Sequence, residues 1–296
     1  MEEIWLEDGN LIDENKWKEK IDSLKTDEID DKSLLKKGIR EKLMLAVEGR
    51  WPKQRFGVLF SGGVDSSVIA LISKQLGYDF TCYVVGFQDD TKLPADVEYA
   101  QKVASQFNFD LKYKIFNLKE FEEIVKKTVK ILKKAGKTDV VNVGVGAVVL
   151  AAVEMGKADN INFFMGGLGS EEIFAGYERH VGVKDVQEEC WRGLKLMWSR
   201  DLVRDFNLAK NLKVGIGTPF LDEDLIKTSM QVPAKWKINE DFKKVILREV
   251  ADEMGLGEMA WRKKKAAQYG SCFDKAIGKL AKKNGFKLKK DYLNSL

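Results

Sequence analysis

The feature of this sequence that most constrains its fold is a glycine-containing loop between an apolar run and a helical pattern. Val58-Leu59-Phe60 leads directly into Ser61-Gly62-Gly63-Val64-Asp65-Ser66-Ser67, and Val68-Ile69-Ala70-Leu71 follows. The two glycines let the backbone turn sharply and approach a ligand closely. The amide groups of the first helical turn, together with the helix dipole, favour an anion there. The pattern therefore predicts a strand, a phosphate-binding turn and a helix N-terminus.

The polar residues of this loop point to a metal-assisted phosphate site. Asp65 is an unusual neighbour for a phosphate unless it binds Mg²⁺, a hard cation that prefers oxygen ligands. The hydroxyl groups of Ser61, Ser66 and Ser67 add donors. The alternative is a helix capped by Ser and Asp, with the glycines serving only the turn. The full seven-residue string favours the phosphate site, and it lacks the Gly-Lys-Ser/Thr ending of a Walker A loop.

Apolar periodicity around the loop predicts an α/β fold. Strands are predicted over 55–60, 80–87, 111–116 and 161–165, and helices over 32–49, 65–76, 95–107, 119–134 and 143–156. Such alternation is typical of a mostly parallel sheet. Beyond about residue 182 the strand signals fade, and helices are predicted over 183–209, 222–231, 240–255 and 272–284. We therefore expect an N-terminal appendage and helix over 1–50, an α/β nucleotide domain over 51–181, and a helical C-terminal region over 182–296.

Composition narrows the class of protein. The chain has 296 residues, 44% hydrophobic and 32% charged, which is typical of a globular protein. Its net charge of +4 is too small to indicate nucleic acid by itself. We expect no membrane span and no signal peptide, because no apolar run of roughly 18 residues is apparent and the chain begins with acidic residues. Cys82, Cys190 and Cys272 are far apart, which favours a reducing cytoplasm. The single histidine, His180, is expected to be a partly exposed structural residue.

The loop string resembles the signature of the PP-loop, or N-type ATP pyrophosphatase, superfamily. Within it, Gly166–Tyr177 (GGLGSEEIFAGY) resembles the Ser-Gly-Glu-Gly-Ser/Ala-Asp-Glu-Leu-Phe-Gly-Gly-Tyr segment of asparagine synthetases. Three further stretches resemble other parts of those enzymes: Thr218–Asp222 their Pro-Phe-Leu-Asp segment, and 243–248 with 262–271 their basic C-terminal stretch. The similarity covers roughly residues 33–285. It extends to the synthetase domain of asparagine synthetase and to that of β-lactam synthetase.

This resemblance implies a Rossmann-like, adenine nucleotide alpha hydrolase-like domain that cleaves ATP to AMP and pyrophosphate by adenylating its substrate. It implies that Asp65 and Glu171 hold Mg²⁺, and that Lys264 lies against the α-phosphate. A solvated basic face is the alternative for the lysine run. Asp65, Glu171 and Lys264 are the implied catalytic residues. The implied ATP-binding residues are Phe60, Ser61, Gly62, Gly63, Asp65, Ser66, Ser67, Val85, Gly166, Gly167 and Lys264.

Three departures from the family pattern affect the acceptor side. Glu2 stands where a glutaminase half would have its catalytic cysteine, so we expect ammonia or a separate amidotransferase subunit to supply nitrogen. Leu168 replaces a carboxylate thought to handle incoming ammonia, and a leucine cannot accept a proton. Gly215-Ile216-Gly217 replaces the usual Glu-x-Arg. The residues implied to bind ATP match the family pattern, whereas the sequence does not identify the product.

Three functions remain from the sequence. The leading hypothesis is a ligase that adenylates a small-molecule carboxylate and joins it to ammonia or an amine. A tRNA-modifying enzyme is the alternative, because Lys282–Lys290 and Arg262–Lys265 can meet phosphates, although paired cysteines for sulfur transfer are absent. A nucleotide-binding regulator without acceptor chemistry is the third. The acceptor, the nitrogen source, the oligomeric state and the role of residues 1–31 are left open.

Overall fold

A five-stranded parallel sheet, in the order β5-β4-β3-β6-β7, lies at the centre of the computed structural model, which describes residues 3–88, 92–263 and 266–296. A short antiparallel hairpin, β1-β2, precedes it. The strands are β1 Leu6–Glu7, β2 Asn10–Leu11, β3 Phe56–Leu59, β4 Phe80–Phe87, β5 Leu111–Phe116, β6 Phe163–Met165 and β7 Gly215–Gly217. The sheet confirms the predicted α/β class.

Helices follow most strands and fill the C-terminal region. They are α1 Glu14–Ser23, α2 Lys32–Glu48, α3 Val64–Gln75, α4 Ala95–Phe107, α5 Leu118–Lys133, α6 Val140–Ala158, α7 Ser170–Ile173, α8 Val186–Met197, α9 Val203–Leu212, α10 Glu223–Met230, α11 Ala234–Lys237, α12 Val245–Ala251, α13 Ala267–Gly270, α14 Phe273–Lys283 and α15 Lys289–Asn294. Short 3₁₀ turns cover Glu178–His180, Pro219–Leu221 and Gly257–Trp261, and π turns cover Trp198–Leu202 and Asp252–Leu256.

Helices cover both faces of the sheet, and the residues of β4 show this directly. All eight positions of β4 are buried. Cys82 and Val84 belong to one apolar cluster, whereas Tyr83 and Val85 belong to another. Because neighbouring residues of a strand point to opposite faces, the two clusters are the two layers of core on either side of the sheet. A strand buried on both faces reads as a continuous apolar run, as it does here.

The apolar helix α6 corrects one expectation. Val140–Ala158 is long and apolar enough to cross a membrane by length and composition alone, so the expectation that no such stretch exists was wrong. Over half of that stretch is buried inside the protein, and Val143, Ala147 and Leu150 are fully buried. Packing between the sheet and the neighbouring helices α5 and α9 accounts for its apolar composition.

The fifth strand, β7, comes from the region predicted to be helical. Gly215–Gly217 pairs in parallel with β6, with Phe163 opposite Gly215. The sheet therefore extends past the expected boundary at residue 181. Sequence patterns missed this strand because it has three residues, two of them glycines, and glycine is depleted in strands.

The first residues are packed into the molecule rather than appended to it. Trp5 and Trp17 are buried and belong to the larger apolar cluster. The indole of Trp17 donates a hydrogen bond to the carbonyl of Leu194 at 2.9 Å, and that of Trp5 donates to the Thr218 hydroxyl at 3.0 Å. Two tryptophans thus attach the N-terminal segment to the C-terminal region, which corrects the expectation of an appendage.

Candidate active site

The glycine-containing loop joins β3 to α3 in the predicted arrangement. Gly62 has φ +67°, and a Cβ there would lie 2.9 Å from the backbone of Tyr99 and of Ala100. Glycine is therefore required both for the turn and for the approach to α4. Gly63 caps α3 with no side-chain hydrogen bond, so no capping side chain satisfies the first turn of this 12-residue helix.

Serine side chains brace this loop. The Ser61 amide donates to the Ser66 hydroxyl at 3.2 Å, and that hydroxyl donates to the Gly63 carbonyl at 3.3 Å. Ser61 and Ser66 also line a cavity above the loop, whereas Ser67 is not among its lining residues. The Ser67 hydroxyl is buried without a hydrogen-bond partner among the described residues. Two of the three predicted serines are thus placed to meet a ligand.

Arg262 ties the C-terminal region to the loop. Its guanidinium donates to the Ser61 carbonyl at 2.7 Å and to the Asp96 carboxylate at 2.9 Å. It also lies 4.2 Å from the centre of the Tyr99 ring. The sequence showed a basic run here, but only spatial proximity reveals that its first residue is a buried anchor.

Lys244 is the main site residue that sequence reasoning did not single out. Its ammonium group lies 2.9 Å from both carboxylate oxygens of Asp65, 2.8 Å from Glu171 Oε1 and 2.9 Å from the Ser170 hydroxyl. Both predicted metal ligands thus contact one lysine. Lys244 lies within the basic stretch 243–248, where nothing in the sequence distinguishes it from Lys243.

The charges of Asp65, Glu171 and Lys244 interact strongly because the cluster is largely buried. Asp65 and Lys244 are almost completely buried, and Glu171 is partly exposed. Asp65 therefore does not lie on an exposed loop, contrary to the simplest expectation for a loop residue. Burial opposes the charge on Lys244, but Asp65 and Glu171 outweigh this effect and its pKa is raised. The lysine stays protonated, and its single positive charge offsets part of the charge of the two carboxylates.

Gly176 creates the space for this cluster. A Cβ at this position would lie 1.8 Å from Glu171 Oε2 and 2.2 Å from Lys244 Cε. No side chain fits there while the ion pair is in place. The Ala-Gly-Tyr end of the segment 166–177 therefore has a steric role beside the ion pair.

A cavity of about 460 Å³ lies above the carboxyl ends of the strands, where ligands bind in open α/β sheets. Four of the implied ATP-binding residues, Phe60, Val85, Gly166 and Gly167, line it. Asp65 and Glu171 lie at its edge. The volume falls within the range typical of small-molecule sites.

Most of the remaining residues that line this cavity form an apolar group and a charged group. Leu168 and Ile216 line it together with valines of α6, namely Val141, Val145, Val148 and Val149. Leu168, which replaces a carboxylate of the family pattern, is part of this apolar lining. The same cavity is also lined by a set of charged residues from the π turn and α9: Arg200, Asp201, Arg204 and Asp205. Two of the four, Arg200 and Asp201, lie in the π turn, an element that is frequent at functional sites.

These charges are paired with one another. Arg204 donates to both oxygens of Asp205, at 2.7 and 3.0 Å, and to Asp201 at 3.2 Å. Arg200 donates to Asp201 at 2.6 Å and to Glu172. The cluster is therefore a rigid polar surface rather than a single exposed charge.

Glu172 lies behind this surface and is fully buried. Burial raises its pKa to about 7, against the opposing charge of Arg200. Burial also opposes the charge of Arg200, but Asp201 and Glu172 raise its pKa overall. The guanidinium therefore stays charged, while the carboxyl group titrates near neutral pH.

A second cavity, of about 860 Å³, opens on the other side of the Lys244 cluster. It shares Asp65, Glu171, Tyr177 and Ala266 with the first cavity. Its other lining residues include four cations: Lys243, Lys244, Arg248 and Lys263. The two cavities meet at the end of the loop, so an elongated ligand can occupy both.

The segment that contains the predicted catalytic lysine is described only in part. Lys264 and Lys265 lie outside the described residues, so the prediction for Lys264 stays a prediction. Lys263, just before them, lies in the second cavity with its ammonium group 5.2 Å from the Phe242 ring. Arg248 holds the preceding chain through bonds to the carbonyls of Ala260 and Arg262, at 2.5 and 2.9 Å.

His180 corrects another expectation, because it is fully buried rather than partly exposed. Its Nδ1 accepts a hydrogen bond from the Tyr177 amide at 3.1 Å. Burial lowers its pKa to about 4, so it is neutral at physiological pH. It supports the backbone of the segment 166–177 and does not line either cavity.

Comparisons with known proteins identify the family of this chain. The family model for asparagine synthase matches residues 38–182 and 180–290. A putative glutamine-hydrolysing asparagine synthetase of Methanocaldococcus jannaschii is 29% identical, over 88% of this chain and 53% of its own length. The asparagine synthetase of Gallus gallus is 26% identical, over 88% of this chain and 45% of its own length. The chain thus spans about half the length of these curated relatives.

Among solved structures, a "predicted subunit of tRNA methyltransferase" from Methanocaldococcus jannaschii matches 80% of this chain and 92% of its own, with 18% identity and a TM-score of 0.36. A likeness of that size supports no argument about function. The family-model match extends over most of the chain and includes the glycine-containing loop and the Lys244 cluster. This chain belongs to the asparagine synthase family.

Proposed function

We propose that this protein is an ATP-dependent ligase that adenylates a carboxylate, releases pyrophosphate, and transfers the acyl group to ammonia or an amine. The observation that carries the proposal is the buried contact of Lys244 with Asp65 and Glu171 beside the N-terminus of α3. Asp65 and Glu171 line both the nucleotide-sized cavity and the second cavity, which is lined by four cationic side chains.

In this proposal ATP spans both cavities. The adenosine lies against Phe60, Val85 and Gly166, and the β- and γ-phosphates lie at the first turn of α3. Helix amides and the dipole stabilise an anion there. The Lys244 ammonium group then exchanges part of its contact with the carboxylates for contact with phosphate oxygens, where it neutralises the charge of departing pyrophosphate.

The donor set near Lys244 fits Mg²⁺. Mg²⁺ commonly binds one or two carboxylates together with substrate phosphates and water, and Asp65 and Glu171 supply two carboxylates. No group of three or more candidate metal ligands occurs in the part of the chain that the structure describes. We therefore propose that the metal arrives with ATP. It supplies charge neutralisation at the phosphates when bound.

The acyl acceptor lies in the apolar half of the cavity. Leu168 and Ile216 have no proton acceptor, so neither side chain deprotonates the amine as a carboxylate at position 168 would. The paired charges of Arg200, Asp201 and Arg204 line the same cavity. They favour a substrate with polar groups at one end and an apolar body. This arrangement argues against asparagine as the product.

The chain's own cysteines do not suit glutamine hydrolysis. Burial raises the pKa values of Cys82 and Cys190, which makes their thiols poor nucleophiles. Cys272 is partly buried. We propose that ammonia, or a separate amidotransferase subunit, supplies nitrogen. Cys82, Cys190 and Cys272 form no disulfide within the described part of the chain, which suits work in the cytoplasm.

Pyrophosphate exchange tests the proposal. Purified protein is incubated with Mg²⁺, ATP, labelled pyrophosphate and a panel of carboxylic acids, and label entering ATP is measured. One or more acids should support exchange, and with an amine present the products should be AMP and pyrophosphate. Asp65→Asn is the control that should abolish exchange. Formation of ADP and phosphate instead would refute adenylation.

A further inference from the structure

Two packed helical segments carry an excess of positive charge that the rest of the molecule lacks. Residues 118–137, which contain α5, and residues 273–296, which contain α14 and α15, have 14 lysines, five acidic residues and no arginine. The whole chain has 50 basic and 46 acidic residues. The remainder therefore has 36 basic and 41 acidic residues. A side-chain charge of +9 on these 44 residues contrasts with −5 elsewhere.

The lysines form a continuous outward face because the apolar sides of both segments point inward. The rings of Phe121 on α5 and Phe273 on α14 are 4.5 Å apart in the same core cluster. Lys283 of α14 also pairs with Glu122 of α5 at 3.2 Å. We name the exposed surface of these segments the lysine face. Its exposed lysines are Lys119, Lys126, Lys127, Lys130, Lys133, Lys134, Lys275, Lys282, Lys283, Lys287 and Lys290.

Few carboxylates neutralise this face. Lys126, Lys127 and Lys283 have glutamate partners within ion-pair distance. Within the described residues, several others have no carboxylate at that distance: Lys130, Lys133, Lys134, Lys282, Lys287 and Lys290. An anion with regularly spaced charges would replace the missing carboxylates.

The lysine face reaches the rim of the substrate cavity at two points. α5 ends at Lys133, and after a short connection α6 presents Val141, which lines the cavity and is half exposed. α14 begins two residues after Ser271, which lines the same cavity. A partner bound on the face would therefore lie beside the entrance to the site.

The composition of the lysine face favours one class of anionic partner over a protein surface or a membrane. Protein interfaces are depleted in lysine and enriched in aromatic residues, and membrane-surface helices insert several apolar side chains. Among the residues of these two segments, Leu288 is the one large apolar side chain with more than a third of its surface exposed. Lysine-rich polar surfaces instead suit a phosphodiester backbone. RNA also offers single-stranded ends that can enter a cavity, which base-paired DNA does not.

We propose that the lysine face docks the phosphate backbone of a structured RNA and holds it beside the cavity. Because the contacts are to phosphates, recognition depends on charge and shape rather than on base sequence. This docking is independent of the ligase activity proposed above. It assigns a surface role to α5, α14 and α15.

The test measures RNA binding by charge-reversal variants. Fluorescein-labelled unfractionated tRNA is titrated with protein, and anisotropy is read at several salt concentrations. The face variant carries Lys130→Glu, Lys133→Glu, Lys282→Glu and Lys287→Glu. The matched control carries Lys37→Glu, Lys102→Glu, Lys184→Glu and Lys227→Glu, which are exposed lysines elsewhere. Both variants change the net charge by the same amount.

Wild-type protein should bind tRNA with a Kd of roughly 10⁻⁶–10⁻⁴ M near physiological salt. The face variant should bind at least about tenfold more weakly, and the slope of log K against log salt should shrink by about three to four. The control variant should keep wild-type affinity to within about threefold. Circular dichroism should show both variants folded.

Four outcomes would overturn the proposal. Wild-type protein could fail to bind tRNA, or both variants could lose affinity equally, which would leave only net charge. Duplex DNA of similar length could bind as tightly as tRNA. Vesicles of phosphatidylserine and phosphatidylcholine could bind through the face in place of RNA. Pyrophosphate exchange distinguishes the two proposals, because both variants should keep it; its absence in wild-type protein would refute the ligase and leave RNA docking intact.

Discussion

Replacing Lys244 by methionine should destabilise the fold and expose a metal site at the same time. The change keeps most of the side-chain length but removes the ammonium group between Asp65 and Glu171. Removing one partner of a buried ion pair costs about 3–5 kcal/mol, because the remaining charge is left without compensation. Glu171 is partly exposed, so most of this loss comes from Asp65.

The expected shift in melting temperature follows from chain length. With an unfolding entropy of ~2.1 cal/mol/K per residue, 296 residues give about 0.6 kcal/mol/K. A loss of 3–5 kcal/mol should then lower Tm by about 5–8 °C. Lys243→Met is the matched control, since Lys243 is partly exposed and pairs with the exposed Glu178. Its Tm should change little.

Magnesium should restore much of the lost stability. In Lys244→Met the two carboxylates no longer contact an ammonium group, so free Mg²⁺ at ~100 times its Kd should stabilise the variant by about 2.7 kcal/mol. Wild-type protein should gain less, because Lys244 competes for the same oxygens. Differential scanning calorimetry with and without Mg²⁺ measures both effects. A variant as stable as Lys243→Met, or one indifferent to Mg²⁺, would refute the reasoning.

Three further predictions concern Gly62 in the loop, the buried His180, and Lys264, the predicted catalytic lysine. Gly62→Ala should weaken ATP binding at least about tenfold by calorimetry, because strain and a backbone clash coincide there, whereas Gly77→Ala (φ +73°, open space) should not. His180→Asn should keep the hydrogen bond from the Tyr177 amide. The lowered pKa of His180 contributes stability above pH 6.5 that is lost as the pH falls to about 4, so the wild-type protein should lose about 3 kcal/mol of unfolding free energy over this range. Denaturation curves at both pH values should show that the variant does not have this loss. Lys264→Ala should lower turnover by about 10²–10³-fold while ATP binding persists; full turnover would show a solvated lysine.

Much of the α/β region was predictable because its strands are apolar and its helices are periodic. β4, β5 and α4 have the predicted bounds of 80–87, 111–116 and 95–107. The helical pattern of α2 was also predicted to within one residue. Local periodicity is sufficient where each element buries one clear face or is buried throughout.

Elements without such a pattern were missed. β7 has a Gly-Ile-Gly sequence that does not favour a strand, and pairing with β6 is what makes it one. The N-terminal hairpin and α1 gave only weak signals, yet Trp17 is completely buried against the C-terminal region. Tertiary packing supplied the stability that local sequence did not.

The sequence by itself determined the glycine-containing turn, because Gly62 and the first turn of α3 are contiguous and the geometry of a helix N-terminus is local. Only the tertiary structure decided the partner of Asp65. Lys244 is 179 positions away, and its ammonium group reaches the carboxylate because the sheet and α12 bring the two segments together. Contacts between buried charges depend on distances of a few ångströms, and such distances between remote segments are set by the packed core rather than by local pattern.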